Sequence, residues 1–164
     1  MIWVTSDLHL EHANIIKYCR RPFAHIKEMN DTIIRNANTV IKPADTVYHL
    51  GDFALTKRSN LIYMKKQLNG HWITLVGNHD KRAVLKDAGF EVLESPIVVL
   101  ENFILSHRPL HLEGIPCVNC CVDVHNFYPI PFPTVKQRLN LHGHVHNSWY
   151  IKIGNEQIPK ELKE

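Results

Sequence analysis

Three apolar runs, each closed by polar residues, recur along the first half of the chain at residues 1–6, 45–50 and 71–76. Each has the length and composition of a buried strand. The segments between them, residues 26–41 and 57–68, carry apolar side chains at the three- and four-residue spacing of an amphipathic helix. Strands that alternate with helices favour parallel pairing through helical crossovers. The sequence therefore predicts a mixed α/β fold.

Beyond Gly89 the pattern changes to short apolar runs that are too close together for helical crossovers. This spacing predicts a second, partly antiparallel sheet formed by residues 90–93, 97–100 and 103–106. Residues 139–142 are predicted to form another buried strand that ends at a glycine, and residues 148–153 could return alongside it. Residues 110–133 show no clear period, which is typical of a long loop or an irregular hairpin.

The chain has 164 residues, of which 45% are hydrophobic and 21% charged. We expect one domain over residues 1–164, with a charged tail from about residue 160. The formal net charge of +3 and the dispersed basic pairs give no strong nucleic-acid signature. No apolar run is long enough to cross a bilayer, and the first residues lack the pattern of a signal peptide. We therefore expect a cytoplasmic protein without a membrane partner, whose oligomeric state the sequence leaves open.

Four cysteines would allow two disulfides or a zinc site in principle. Three of them, Cys117, Cys120 and Cys121, crowd together, and with Cys19 they offer one pair spacing of a zinc motif without a matching second pair. Because nothing indicates export, we predict reduced structural thiols.

Residue types that bind metals follow strand after predicted strand. Because the carboxyl ends of parallel strands meet at one edge of a sheet, residues distant in sequence are expected to converge there. They are Asp7, His9, Asp52, Asn78, His79, Asp80, His107, His144 and His146. Any one of these histidines alone would more often be structural, but the repeated placement favours a metal centre.

The spacing within this set suits metal binding. In Asp-x-His and His-x-His, two side chains lie on the same side of an extended backbone, because side-chain direction repeats every second residue. Mixed carboxylate, imidazole and amide ligands suit Mn, Fe, Zn or Ni better than Ca. Two such ions, about 3.5 to 4 Å apart, need a carboxylate that reaches both and can activate the water held between them. Asp52 is the natural bridge.

Five motifs along residues 1–150 resemble, in order, those of the calcineurin-like metallophosphoesterase family. They are Asp7-Leu8-His9, Gly51-Asp52, Gly77-Asn78-His79-Asp80, His107 and Gly143-His144-Val145-His146. The loop after the first motif looks like that of short bacterial and phage members. One departure is that a strand-like segment, residues 118–130, precedes the last motif, whereas we would expect it afterwards.

The resemblance implies a four-layer α/β/β/α sandwich of two mixed β-sheets flanked by helices. It also implies two divalent metal ions, for which we favour manganese. Carried over by position, the first ion is held by Asp7, His9 and His146. The second is held by Asn78, His107 and His144, and Asp52 bridges the two. His79 would then stay off the metals and face the substrate, with Asp80 orienting its ring.

Four further residues are candidates for substrate contact. His12 follows His9 closely enough to overhang the site, and Asn14 lies in the same loop. Arg21 could pair with a phosphate oxygen, and Arg108 adjoins His107. A surface role is an equal alternative for these residues. Histidines outside the motifs, His49 among them, are assigned to structure or surface.

The predicted activity is hydrolysis of a phosphate ester by water activated between two metals, with a phosphodiester or small nucleotide as substrate. The short chain shows no cap domain, which suggests a shallow site. A phosphomonoesterase is an alternative, and a DNA or RNA nuclease would require a coherent basic groove. A non-catalytic binding module would not need His79, and the intact motif set argues against it.

Overall fold

The computed structural model describes residues 1–95, 97–100, 103–108, 139–143, 152–153 and 156–157. The predicted loop at residues 110–133, together with its three cysteines, lies outside these residues. The extent of the single domain therefore stays a prediction.

The first sheet contains four parallel strands in the order β1-β2-β3-β4. They are β1 (Ile2–Thr5), β2 (Thr46–His49), β3 (His71–Thr74) and β4 (Glu91–Val92). The predicted parallel pairing of the first three strands is confirmed. The expectation for residues 90–93 was wrong, because β4 pairs in parallel with β3 rather than joining the second sheet. Helix α4 (Arg82–Asp87) supplies the crossover, although it is only six residues long.

Helices α2 (Ile26–Val40) and α3 (Arg58–Lys66) fall where the sequence predicts them. The Nδ1 of His25 accepts a hydrogen bond from the Glu28 N–H and so caps the start of α2. The sequence did not reveal α1 (Ala13–Tyr18) or α4, because six residues are too few to show a helical period. No helix in the described part of the chain has the length and apolar character needed to cross a bilayer.

The second sheet is formed by β5 (Ile97–Leu100), β6 (Phe103–Ser106) and β7 (Leu139–His142). The pairing of β5 with β6 is antiparallel and that of β6 with β7 is parallel, so this sheet is mixed, as predicted. Two short strands, β8 (Lys152–Ile153) and β9 (Glu156–Gln157), pair antiparallel with each other. Within the described residues, β8 therefore pairs with β9, and its predicted return alongside β7 is not seen.

Two groups of buried side chains define the layers. The larger lies between the helices and the first sheet, where Phe53 and Trp72 pack against residues of α2, α3 and α4. The smaller lies between the sheets, where Leu50 and Leu75 meet Leu105 of β6. Helices, first sheet and second sheet therefore form successive layers of a mixed α/β fold. The fourth layer stays a prediction.

His49 is fully buried at the end of β2. Its Nδ1 accepts a hydrogen bond from the Gly51 N–H at 3.3 Å, and its ring packs on Phe53 at 5.0 Å between centroids. Burial lowers the pKa of His49 to about 3, and the neighbouring His107 and His9 contribute to this lowering. His49 is therefore a neutral structural histidine beneath the carboxyl edge of the sheet.

A neutral buried histidine makes stability depend on pH. Below the ordinary histidine pKa, His49 binds a proton in the unfolded chain but not in the folded chain. The free energy of unfolding therefore decreases as the pH falls below about 6.5. We expect about 2 kcal/mol of loss at pH 5 from this residue. Urea unfolding in EDTA at pH 7.5 and pH 5 should show a smaller decline for His49→Leu than for the natural chain. Equal declines would contradict the assignment.

Candidate metal centre

The predicted ligands follow the carboxyl ends of strands from both sheets. Backbone hydrogen bonds join the successive loops: the Asp7 N–H donates to Gly51 O and the His9 N–H to Asp52 O, both at 3.0 Å. The Gly143 N–H donates to His107 O at 3.0 Å and so attaches the end of β7 to the end of β6. Four strand ends are thereby held around one position.

Carboxylates and imidazoles converge at that position. His9 Nε2 lies 3.6 Å from Asp7 Oδ1 and 3.7 Å from Asp52 Oδ2. His107 Nε2 lies 3.5 Å from the same Asp52 Oδ2, on the side of Asn78. Potential ligand atoms of Asp7, Asp52 and His107 all lie within 4.8 Å of one another. These separations suit atoms that share an ion, since ligands about 2.1 Å from a tetrahedral ion are roughly 3.4 Å apart.

Asp52 occupies the middle of the group and is only 1% exposed. Its Oδ1 accepts a hydrogen bond from the His79 N–H at 2.8 Å. Its Oδ2 has no hydrogen-bond partner among the described residues and faces the Nε2 atoms of His9 and His107. A buried carboxylate oxygen that lacks a donor is costly unless a cation neutralises it. The donor set therefore fits a metal here.

The hydrogen bonds of His107 support the same fit. Its Nδ1 lies 2.9 Å from Leu50 O, which can only accept, so Nδ1 carries the proton. With Nδ1 protonated, Nε2 is the ring nitrogen that can bind a cation, and it lies 2.9 Å from Asn78 Oδ1. An imidazole nitrogen and an amide oxygen this close together can bind the same divalent ion.

Asp80 has a different set of partners from the one predicted. Its Oδ2 accepts hydrogen bonds from the N–H groups of Asp52 at 2.7 Å and Gly77 at 2.9 Å, and its Oδ1 accepts one from Phe53 at 3.0 Å. Burial raises the pKa of Asp80, while these three donors stabilise the carboxylate. The contact expected with the ring of His79 is not among those seen in the described residues. Asp80 instead binds the backbone of the Asp52 turn.

Three histidine rings pack against one another beside the cluster. The centroid of His9 lies 5.3 Å from that of His12 and 5.4 Å from that of His79, and His12 and His79 are 5.4 Å apart. His12 is buried and His79 is exposed. Burial and the adjacent His9 and His79 lower the pKa of His12, which favours a neutral ring. His79 is thus the member of this group that is exposed to solvent.

Arg21 lies beneath the first loop. Its Nη1 donates to Leu8 O at 2.8 Å and its Nη2 to Asp7 O at 2.7 Å. Burial lowers the pKa of Arg21. The guanidinium predicted to contact phosphate therefore holds the backbone that presents Asp7. Asn14 and Arg108 are exposed, and their contact with substrate stays a prediction.

His144 and His146 lie outside the described residues. The adjoining Gly143 is described, and a Cβ added to it would be 2.8 Å from Ser6 Cβ and would overlap Asp7 Oδ2. The last motif therefore begins in contact with the first.

Sequence reasoning missed two neighbours of the site. The Ser6 hydroxyl hydrogen-bonds to Asp7 Oδ2, and the ring of Tyr18 lies 6.3 Å from that of His12. The position of Ser6 directly before the Asp-x-His motif was an available signal. No sequence signal indicated Tyr18, because its contact with His12 depends on how α1 packs.

Backbone conformation is unusual at the predicted ligands. Asp7, His9 and Asp52 have φ values of 52°, 50° and 59°. This left-handed region costs a non-glycine residue roughly 1 kcal/mol or more, and such residues concentrate at functional sites. These three residues follow the ends of β1 and β2, and their side chains contribute to the cluster.

Residues 1–163 match the family described as Calcineurin-like phosphoesterase. An uncharacterised protein of Methanocaldococcus jannaschii is 35% identical over an alignment 150 residues long, and the match covers 79% of this chain and 85% of that protein. The crystal structure of a protein of unknown function from Aquifex aeolicus is 34% identical, with a TM-score of 0.56. That match covers 66% of this chain and 61% of the Aquifex chain, so it spans about three-fifths of that relative.

Gly77 lies where the loop after β3 approaches the loop after β2. A Cβ at this position would be 2.8 Å from Asp52 Cγ and would overlap the Asp52 amide. We expect Gly77→Ala to displace Asp52 and to weaken Mn²⁺ binding by about 10- to 100-fold, as loss of a ligand's supporting contacts typically does. Competition with a chelating dye measures this affinity.

Gly89→Ala is the matched control. Gly89 has a φ of +83°, and an added Cβ would meet only Lys65 Nζ, at 3.8 Å. This variant should lose about 1 kcal/mol of stability through backbone strain and keep its metal affinity. Unchanged affinity in Gly77→Ala would contradict the close approach described above.

Proposed function

The chain belongs to the calcineurin-like phosphoesterase family, a family of metal-dependent phosphoester hydrolases, and on that premise we propose that it is a two-metal phosphodiesterase acting on a small nucleotide or phosphodiester. The observation that carries the proposal is the position of Asp52. One of its oxygens is held by the His79 N–H, and the other is buried between the Nε2 atoms of His9 and His107. A bridging ligand needs this placement.

Asp7, His9 and His146 would hold one divalent ion, and Asn78, His107 and His144 the other, with Asp52 shared. The contacts among the described members of each group support this division, because His9 lies beside Asp7 and His107 beside Asn78. When bound, two such ions lower the pKa of water between them and neutralise charge that develops during phosphoryl transfer. We favour manganese, with iron, zinc or nickel as alternatives that the same ligand types accept.

His79 is the residue that would act directly on the substrate. Its backbone N–H is fixed by Asp52 Oδ1, while its ring is exposed next to His9 and His12. A protonated His79 can donate to the departing oxygen of the ester, and it can stabilise the phosphoryl oxygens before that. Asp80 contributes indirectly, by holding the turn that carries Asp52. We place this activity in a single cytoplasmic domain over residues 1–164.

The choice of a nucleotide-like diester rests on the entrance of the site. Asn78 and His79 are exposed, which suits a shallow site open to an extended substrate. Tyr18 is 71% exposed, and its ring contacts that of His12, which in turn contacts His79. An exposed aromatic ring at this distance from His79 would be available to stack with a nucleobase of the substrate.

The reaction type is tested with bis(p-nitrophenyl) phosphate and p-nitrophenyl phosphate, using Mn-loaded protein. We expect diester hydrolysis to exceed monoester hydrolysis, and Asp52→Asn to lower kcat/KM by about 10³-fold, equivalent to roughly 4 kcal/mol, because the amide cannot bridge two cations. His71→Leu, at the far end of β3, should react like the natural chain. A preference for the monoester would make the protein a phosphomonoesterase. Absence of both activities with Mn, Fe, Zn or Ni at confirmed occupancy would favour the binding module.

Tyr18 tests the substrate class. Two diesters that share a p-nitrophenyl leaving group, p-nitrophenyl thymidine 5′-phosphate and methyl p-nitrophenyl phosphate, differ in the nucleoside. We expect Tyr18→Ala to raise KM for the nucleoside ester by about 10-fold, the effect of losing roughly 1.4 kcal/mol of stacking, and to leave the methyl ester unchanged.

Two variants complete this comparison. Tyr18→Phe should behave like the natural chain, since it keeps the ring. Tyr63→Ala should also have no effect, because Tyr63 is a similarly exposed tyrosine, at 67%, on α3. Equal effects of Tyr18→Ala on both esters would exclude base stacking at this position.

A further inference from the structure

His9 and His12 form a direct hydrogen bond beside the cluster. Their Nδ1 atoms are 3.3 Å apart, His9 is 1% exposed and His12 is 9% exposed. The backbone fixes this arrangement, because the His12 N–H donates to His9 O at 3.2 Å and His12 O accepts from the Ile15 N–H at 3.0 Å. The contact is therefore a built part of the loop between β1 and α1.

A hydrogen bond between two imidazole nitrogens requires a proton on only one of them. The other nitrogen of His9, Nε2, faces Asp7 Oδ1 and Asp52 Oδ2 at 3.6 and 3.7 Å. Nε2 is thus the atom that His9 can present to a cation, and its proton must then be on Nδ1. It follows that His9 Nδ1 donates and His12 Nδ1 accepts.

We propose that His12 is a positioning residue that holds His9 in the tautomer and orientation needed for metal binding through Nε2. The inference rests on the proposed function only in taking His9 as a metal ligand. Ligand histidines commonly donate their second N–H to an acceptor, which fixes the ring and raises its basicity. Here the acceptor is another histidine, so the ring is held without a further negative charge beside Asp7 and Asp52.

Burial separates this role from the substrate contact predicted for His12. His79 is exposed on the same side of the cluster, whereas His12 lies beneath it, with Tyr18 and His79 packed against its ring. The Nδ1 of His12 is hydrogen-bonded to the Nδ1 of His9. The residue that faces substrate is therefore His79, and His12 acts on the reaction through His9.

Two variants of His12 isolate the acceptor. His12→Asn places an amide oxygen close to the position of Nδ1, whereas His12→Leu has a similar size and accepts nothing. Competition with a chelating dye gives the Mn²⁺ affinity without reference to activity, and thermal unfolding in EDTA checks that each variant is folded. We expect His12→Leu to weaken binding of one ion by about 10- to 100-fold. His12→Asn should recover most of that loss, and His71→Leu should have no effect.

The outcomes are distinct. In one outcome, folded His12→Leu has the same Mn²⁺ affinity as the natural chain but a raised KM. This result would make His12 a substrate contact and overturn the proposal. Equal losses in the leucine and asparagine variants would also overturn it, because the accepted hydrogen bond would then be irrelevant.

A further readout is the nitrogen NMR spectrum of the natural metal-free chain, where we expect an unprotonated Nδ1 in His12 and a protonated Nδ1 in His9. The opposite assignment would contradict the proposal. A chain that binds metal as described yet hydrolyses no ester would refute the proposed function and leave the role of His12 intact.

Discussion

The carboxylate of Asp80 is the constraint on which the candidate site depends. It accepts three backbone N–H groups, from Asp52, Phe53 and Gly77, and thereby joins the turn after β2 to the turn after β3. Asp52 adds another hydrogen bond between the same two turns, because its Oδ1 accepts the His79 N–H. Carboxylates that accept several N–H groups make strong, charge-assisted hydrogen bonds. With one oxygen of Asp52 used in this way, the other is left facing the two imidazoles.

The left-handed backbone of Asp7, His9 and Asp52 needs support from outside the cluster. Asp7 and His9 donate their N–H groups to the carbonyls of Gly51 and Asp52, and Arg21 holds the carbonyl of Asp7 from the other side. Strained conformations persist only where surrounding contacts determine them. The left-handed backbone at these three residues is less stable than a regular strand end would be. The three side chains it carries all contribute to one cluster.

The sequence sufficed for features that rest on periodicity and on the position of strand ends. Alternating strands and helices predicted the parallel sheet, and the strand-to-loop rule predicted that Asp7, Asp52 and His107 would meet, although about a hundred residues separate the first from the last. It failed where a segment was too short to show a period, as in α1 and α4. It also failed to predict hydrogen bonds between polar side chains and the backbone. No sequence pattern indicates that Arg21 binds the carbonyl of Asp7 or that Asp80 binds the N–H of Asp52. Such contacts follow from the closeness of loops in the folded chain.

Anomalous diffraction from crystals of the Mn-loaded protein, recorded on both sides of the manganese absorption edge, tests the proposed two-metal centre most directly. The account predicts two peaks coordinated by Asp52, one beside Asp7 and His9 and the other beside Asn78 and His107. A single peak, or peaks that do not contact Asp52, would contradict it.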